Sequence, residues 1–551
     1  MNRRRTVCNP INISYQYQAE YRSRESADPA VAVYKGEYYL FASHGSGYWV
    51  SSDLANWEFL RVDTDKHPEF KRFAPGPCVV GDTMYLTHSE GGSILKSDTP
   101  RDPDSWVDIG KPYGWGDPAF FVDDDGYVYI YEGLSDKDPI HVAKLDPSDN
   151  MRLVEGPVDI AMSDIAHRGF ERSGDDNQNE RRRPYFEGAW MHKYGGKYYL
   201  TYAAPGTEFA TYADGCFIAD SPMGPFTYCE NSPVVWKATG FMRGAGHGCV
   251  FEDLGGHWWK MDTVSISVNH MFERRLALFP VRFAADGRMY TDTLRGDYPM
   301  YIPAENPDSF GHPGPDWHLL SYGKAVTASS ALADHPAALA ADENMKTWWS
   351  AQTGGSGEWL QMDLGDGYAV WAVQVNFADQ DADAVGGRDN GFQYRYRLLG
   401  SADGGDWTVL ADCTGDHPDT SHDYFEWEEP LALRYLRLEN AGSVPAGGKF
   451  AVSGLRVFGN GNTRPPQAAP ILRVTRGEDE RDMRVCWDAV PDAQGYFLRF
   501  GVDPDALYTH YQVIGDTEAA VGCLNTGVTY YVTADAYNES GVTRGTTVWT
   551  V

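Results

Sequence analysis

Positive charge, long apolar runs and patterned cysteines are all scarce in this chain. Its 551 residues carry 47 Lys and Arg against 78 Asp and Glu, a formal net charge of −31. A surface of that sign repels phosphate backbones, so nucleic acid is a disfavoured partner, whereas a neutral glycan is not hindered. No apolar stretch reaches the roughly 18 residues of a membrane helix, so no membrane partner is expected. The first twelve residues hold three arginines with no apolar core behind them, so no signal peptide is visible. As it stands the sequence reads as cytoplasmic, or as secreted if a leader has been removed. The eight cysteines show no Cys-x-x-Cys or Cys-x-His spacing. They read as reduced core residues, with a Cys216–Cys229 disulfide as the alternative.

Helical periodicity is also nearly missing, and what replaces it is a repeat. Five times a tight turn precedes a paired-aromatic or β-branched strand. The turns are Lys35-Gly36-Glu37, Gly81-Asp82, Asp125-Gly126, Gly195-Gly196 and Gly255-Gly256, and the strands that follow recur at intervals of 46, 44, 70 and 60 residues. Repeats of that length with hairpin signals predict propeller blades. About a dozen residues upstream of each strand aromatic stand Asp28, nothing ionisable in the second copy, Asp117, Glu187 and His247. If the strand before each turn is the innermost of its blade, these four meet at one mouth of the channel. Pro-Ala follows both Asp28 and Asp117, which suits the first residue of a strand.

The whole chain therefore reads as all-β: a five-bladed β-propeller over 1–305, a β-jelly roll over 317–459 and a small β-sandwich over 466–551. Pro303, Pro307, Pro313 and Pro315 mark the first boundary, and the linker 460–466 the second. The long third interval holds a charged insertion, placed at 155–184, either a solvated loop or a wall of the pocket beside Glu187.

A lone Asp at a turn is more often a backbone cap than a catalyst, and Asp123-Asp124-Asp125 is read that way. The shared register lifts Asp28, Asp117 and Glu187 above that reading. Carboxylates around a funnel, with no His-Cys cluster and no Ser or Cys nucleophile motif, suit glycosidic cleavage, which needs one protonated and one ionised carboxyl. A third carboxylate close by raises the acid's pKa. His247 has three readings: a substrate contact, a ligand of a bound ion, or a core histidine.

On these residues the first 300 positions resemble glycoside hydrolase family 43, five-bladed propellers acting on arabinose- and xylose-containing glycans. The pieces are Ala27-Asp28-Pro29-Ala30-Val31, Gly116-Asp117-Pro118-Ala119 through Gly126, Phe186-Glu187-Gly188-Ala189-Trp190, Gly246-His247-Gly248, and Ser51-Ser52-Asp53-Leu54-x-x-Trp57. The Trp-x-Asn-Asp-Pro motif of a related fructan-cleaving family is absent. The resemblance implies that Asp28 is the general base, Glu187 the general acid and Asp117 the residue that tunes the acid. It implies inversion, with about 6.5–9.5 Å between the two catalytic carboxyls. Arg274 aligns with a sugar-contacting arginine, Arg275 being the alternative. His247 matches a histidine near a channel ion, so a structural calcium fits there, with no cofactor in the chemistry. Trp115 and Trp49 are candidates for stacking on sugar, Trp49 reading more simply as core.

The second segment resembles a discoidin (coagulation-factor type C) domain through Ala341-Asp342-Glu343-Asn344-x-x-Thr347-x-Trp349 and Trp359-Leu360-Gln361-Met362-Asp363-Leu364-Gly365. Such domains often bind sugars, through loops that the motif does not assign, and many bind calcium in the loop equivalent to 342–347; packing against the propeller is the alternative role. The third resembles fibronectin type III, with Trp487, Tyr496 and a corner Tyr530, and reads as a spacer or packing module. The expected partner is an oligosaccharide or polysaccharide, and the expected enzyme an inverting α-L-arabinofuranosidase or β-xylosidase. Galactose- or galactofuranose-releasing activity is the alternative, and a non-catalytic glycan-binding propeller the alternative of another class. If the domains are independent, truncation after residue 316 leaves the chemistry intact.

Overall fold

The computed structural model describes residues 5–18, 23–111, 116–265, 270–302, 310, 314–382, 393–417, 420–444 and 447–551. Trp115 and most of the proline-rich boundary therefore lie outside the described residues. No α-helix occurs among the described residues, only four short 3-10 turns between strands, and no helix there is long and apolar enough to cross a membrane.

Five antiparallel sheets follow one another along the first 291 residues, each led by an inner strand: Ala30–Tyr34, Gly76–Val80, Ala119–Val122, Phe186–Tyr194 and Arg243–Glu252. Each inner strand pairs with the aromatic strand that follows its turn. The repeat is thus a set of five blades. Period-two alternation lets one face of a strand pack against the neighbouring blade. The ring closes where Val31, Leu40 and Trp49 of the first blade share a core with Cys249, Trp259 and Leu276 of the fifth. Trp49 is wholly buried there and donates to Ser14, so it is a core residue rather than a sugar platform. All eight cysteines are free, and Cys229 lies close enough to donate its N–H to the Cys216 carbonyl.

The insertion is shorter than its composition suggests. Residues 155–161 belong to Arg152–Ala161, the outer strand of the third blade. That strand is exposed along most of its length, which is why it is polar enough to pass for a loop.

The second segment is one large sheet in which Trp359–Phe377 lies between His422–Asn440 and Ala451–Asn460. The third is a sandwich of a three-stranded and a five-stranded sheet. Its Tyr530 hydroxyl accepts the N–H of Asn525, five residues upstream, as a tyrosine corner does. Neither segment stands apart. Arg24 and Asp379, both almost fully buried, pair across the propeller and the second segment at 2.6 Å. Trp487, Leu498 and Val532 of the third share one core cluster with Tyr131, Phe186 and Tyr202 of the third and fourth blades.

Candidate active site

One backbone feature recurs at a fixed register of every inner strand, just ahead of it in the first three blades and within it in the last two. Asp28, Ala74, Asp117, Gly188 and His247 all have positive φ, between 43° and 62°. Each stands eleven residues ahead of Tyr39, Tyr85, Val128, Tyr199 and Trp258 respectively. The register expected from the sequence is therefore real, with one correction: in the fourth blade its occupant is Gly188, and Glu187 sits one residue earlier. The reason is steric. A Cβ on Gly188 would lie 2.6 Å from Cγ of His247, so the ring packs where a side chain would stand.

Hydroxyls of the preceding blade hold these heads in place. The N–H of Asp28 donates to Thr263 at 2.7 Å, that of Ala74 to Ser43 at 2.7 Å and that of Asp117 to Ser89 at 3.1 Å. The His247 N–H instead donates to Asp214 at 2.9 Å. Asp214 is in turn paired with the fully buried Lys260, which also meets Asp262. None of these supports was named from the sequence. Lys260 and Asp262 could have been, as two charges on one face of an otherwise apolar strand.

Asp28, Asp117, Glu187, Arg274 and His247 come together in space. Nδ1 of His247 lies 3.3 Å from Asp28 and 3.8 Å from Asp117. Nη1 of Arg274 lies 3.5 Å from Asp28, while its other nitrogens grip the buried Glu25. Ser43 donates its hydroxyl to Asp28 at 2.5 Å, and Tyr212 donates to Glu187 at 2.7 Å. Arg275 points the other way, onto Tyr15, the Arg24 carbonyl and His422 of the second segment. Alternation along the strand puts these adjacent arginines on opposite faces. Glu25 and Tyr212 were missed. Tyr212 arrives on a loop and has no signature in the repeat.

Burial raises the proton affinity of every carboxyl here, and the neighbours then separate them. At Asp28 His247, Arg274 and the Ser43 hydroxyl outweigh burial and hold the pKa below the usual range. At Glu187 burial, with the charges of Asp28 and Glu208, outweighs Tyr212 and Arg274 and lifts the pKa to about 7. Asp117 is raised as well, by burial and by the charges of Glu187 and Asp28. Burial lowers the pKa of His247, against the pull of the Asp28 and Asp214 charges. One carboxyl is thus kept ionised and another protonated in a single funnel, the pairing that acid–base cleavage of an acetal needs.

The residues present do not fit a directly bound calcium, which takes six to eight oxygens. His247 offers nitrogen, and its two carboxylates are engaged with Ser43, Arg274 and each other's fields. In the 342–347 loop Asp342 accepts from Asn344 N–H and the Thr347 hydroxyl, and Glu343 is paired with Arg456. Cys413, His417 and Asp423 form the one group of three such donors that converges among the described residues. It lies in the second segment, where Tyr396 and Thr420 already hold both Asp423 oxygens. A cavity of about 450 Å³ opens at the far end of the inner strands, lined by Val33, Val79, Val122, His192 and Glu252. It contains none of the catalytic candidates.

A propeller with such a funnel belongs to the class of glycoside-cleaving enzymes. Residues 22–289 match the glycosyl hydrolases family 43 profile, and residues 325–451 the F5/8 type C domain. The chain is 31% identical over 341 residues to "Xylosidase/arabinosidase 43A" of Humicola insolens, covering 48% of this chain and 96% of that protein. It is 27% identical over 335 residues to "Xylosidase/arabinosidase" of Bacteroides ovatus, covering 48% and 94%. A solved glycoside hydrolase matches at 21% identity over 79% of this chain and 97% of its own, with a TM-score of 0.46. The chain belongs to glycosyl hydrolases family 43, and it is a glycoside hydrolase.

Proposed function

We propose that the protein releases arabinose or xylose units from a glycan by a single inverting displacement. Asp28, held ionised, takes a proton from a water as its oxygen attacks the anomeric carbon. Glu187 gives its proton to the glycosidic oxygen as the carbon–oxygen bond breaks, so the products are the inverted sugar and the free alcohol. Asp117 and the burial of the funnel keep that proton on Glu187 until it is needed. Arg274 is the charge partner of Asp28, and His247 lies beside it with Nδ1 at 3.3 Å. Trp115, next to Asp117 in sequence, is assigned by motif alone to a sugar face. The observation that carries the reading is geometric: Asp28, Asp117, Glu187, Arg274 and His247 converge at one mouth of the channel, with Arg274 and His247 on Asp28 and Tyr212 on Glu187. The xylosidase/arabinosidase names of the relatives support the pentose.

Hydrolysis of nitrophenyl α-L-arabinofuranoside, β-D-xyloside, β-D-galactoside and β-D-galactofuranoside by wild type and Glu187→Gln tests it. Wild type is expected to turn over a pentoside, and the variant to lose about 10²–10⁴-fold in kcat, the worth of a general acid. Turnover of a galactoside alone moves the assignment to the galactose class. Near-wild-type turnover by Glu187→Gln removes Glu187 from the chemistry.

A further inference from the structure

The insertion and the third segment touch the site through a chain of specific contacts that no motif describes. Arg172, 1% exposed, donates to Asp479, Asp482 and the Gly522 carbonyl of the third segment. Arg481 returns the grip, onto the Ile165 carbonyl and Glu180. Backbone bonds run both ways, Gly169 N–H to Leu524 and Thr526 N–H to His167, at 2.8 and 2.9 Å. The approach is so close that a Cβ on Gly169 would meet the Gly522 and Leu524 carbonyls at 2.5 Å.

The clamped insertion in turn holds the loop that carries Tyr212. Asp175 accepts the Ala210 N–H at 2.7 Å, and the Thr211 hydroxyl donates to the Gly174 carbonyl at 2.7 Å. Arg182 pairs with Glu208 and lies over the Phe209 ring at 5.1 Å. Tyr212, at the end of this loop, is the hydroxyl donor on Glu187.

We propose that the third segment is part of the catalytic apparatus: it fixes the insertion, and the insertion fixes Tyr212 and the Arg182–Glu208 pair against Glu187. Tyr212, Glu208 and Arg182 are then positioning residues for the transferred proton. The inference rests on the reading of Glu187 as the acid. The groups facing Glu187 are Asp28 and Asp117 from the first and third blades, Arg274 and His247 from the fifth, and Tyr212 and Glu208 from the loop. Arg182 is the charge that the insertion adds to this set, through its pair with Glu208.

The alkaline limb of kcat/KM on a small aryl pentoside reads the Glu187 proton directly. Glu208→Gln removes a negative charge and should move the limb to lower pH. Arg182→Gln uncovers that charge and should move it to higher pH. Each shift should be roughly half a unit, the order expected for one partly screened charge. Opposite shifts with unchanged thermal midpoints are not produced by loosened packing. The clamp is tested with Asp479→Asn/Asp482→Asn. Tyr212→Phe should cost at least fivefold in kcat/KM in the wild-type protein and little in the clamp variant, because the bond is already lost there. A limb that stays put in both surface variants overturns the proposal, as does a Tyr212→Phe loss of the same size in both backgrounds. Either result leaves Glu187 as the acid if Glu187→Gln abolishes turnover, so the two readings fail separately.

Discussion

Asp28 and Glu187 are both carboxyls at the head of an inner strand, and their neighbours make them chemically different. Arg274 and His247 lean on Asp28, while Glu187 faces mainly burial and negative charge. The sign of the pH dependence follows. Asp28 must be ionised, which its lowered pKa secures even in mild acid. Glu187 must be protonated, which holds below about 7. kcat/KM should therefore be level through weakly acidic pH and fall as pH rises through about 7. A profile still rising above pH 8 is incompatible with Glu187 as the proton donor. Asp117 and Glu187 repel across the funnel, so Asp117→Asn should lower the pH at which activity falls. An unmoved limb would mean that burial and the charges of Asp28 and Glu208 set the Glu187 proton and that Asp117 only shapes its turn.

At the scale of the strand, each blade carries a left-handed residue at one register, and in four of the five its N–H is tied to the previous blade. Ser43 does two jobs there: it accepts from Ala74 N–H and donates to the Asp28 carboxylate. Ser43→Ala removes a bond that favours ionised Asp28, so the acidic limb of kcat/KM should move to higher pH while the alkaline limb stays. A pH–rate series on one aryl glycoside separates the two limbs. The aromatic strand phrases and the Asp-Pro-Ala pairs were legible as blades because a half-buried strand must alternate and a strand head tolerates proline. The one-residue offset at Glu187 was not, since it depends on the His247 ring lying across Gly188. Tyr212 and Glu25 were hidden for a similar reason: each reaches the site from an element whose own sequence carries no repeat. The outer strand 152–161 was misread because exposure on both sides removes the alternation that identifies a strand.

At the scale of the whole molecule the three segments are legible as modules but do not behave as independent ones. Composition marks the breaks near 305 and 460, yet contacts between segments leave no periodicity to read. Arg24 sits one residue from Glu25, which grips Arg274, and its charge is balanced by Asp379 of the second segment with both groups out of water. Removing one partner of such a buried pair strands the other, at a cost of about 3–5 kcal/mol. Asp379→Ala should lower the free energy of unfolding by that amount in urea melts, far more than an exposed pair such as Arg473–Asp488 could. Truncation after residue 316 removes more. It strips Asp379 from Arg24, His422 from Arg275 and the shared core from the faces of Tyr131, Phe186 and Tyr202. The independence that sequence suggests is thus reversed by the packing, and the truncated chain should be insoluble or inactive on small aryl glycosides. A soluble truncated propeller with wild-type kcat/KM would show that the interface carries neither stability nor chemistry, and with it the clamp on the insertion would lose its catalytic meaning.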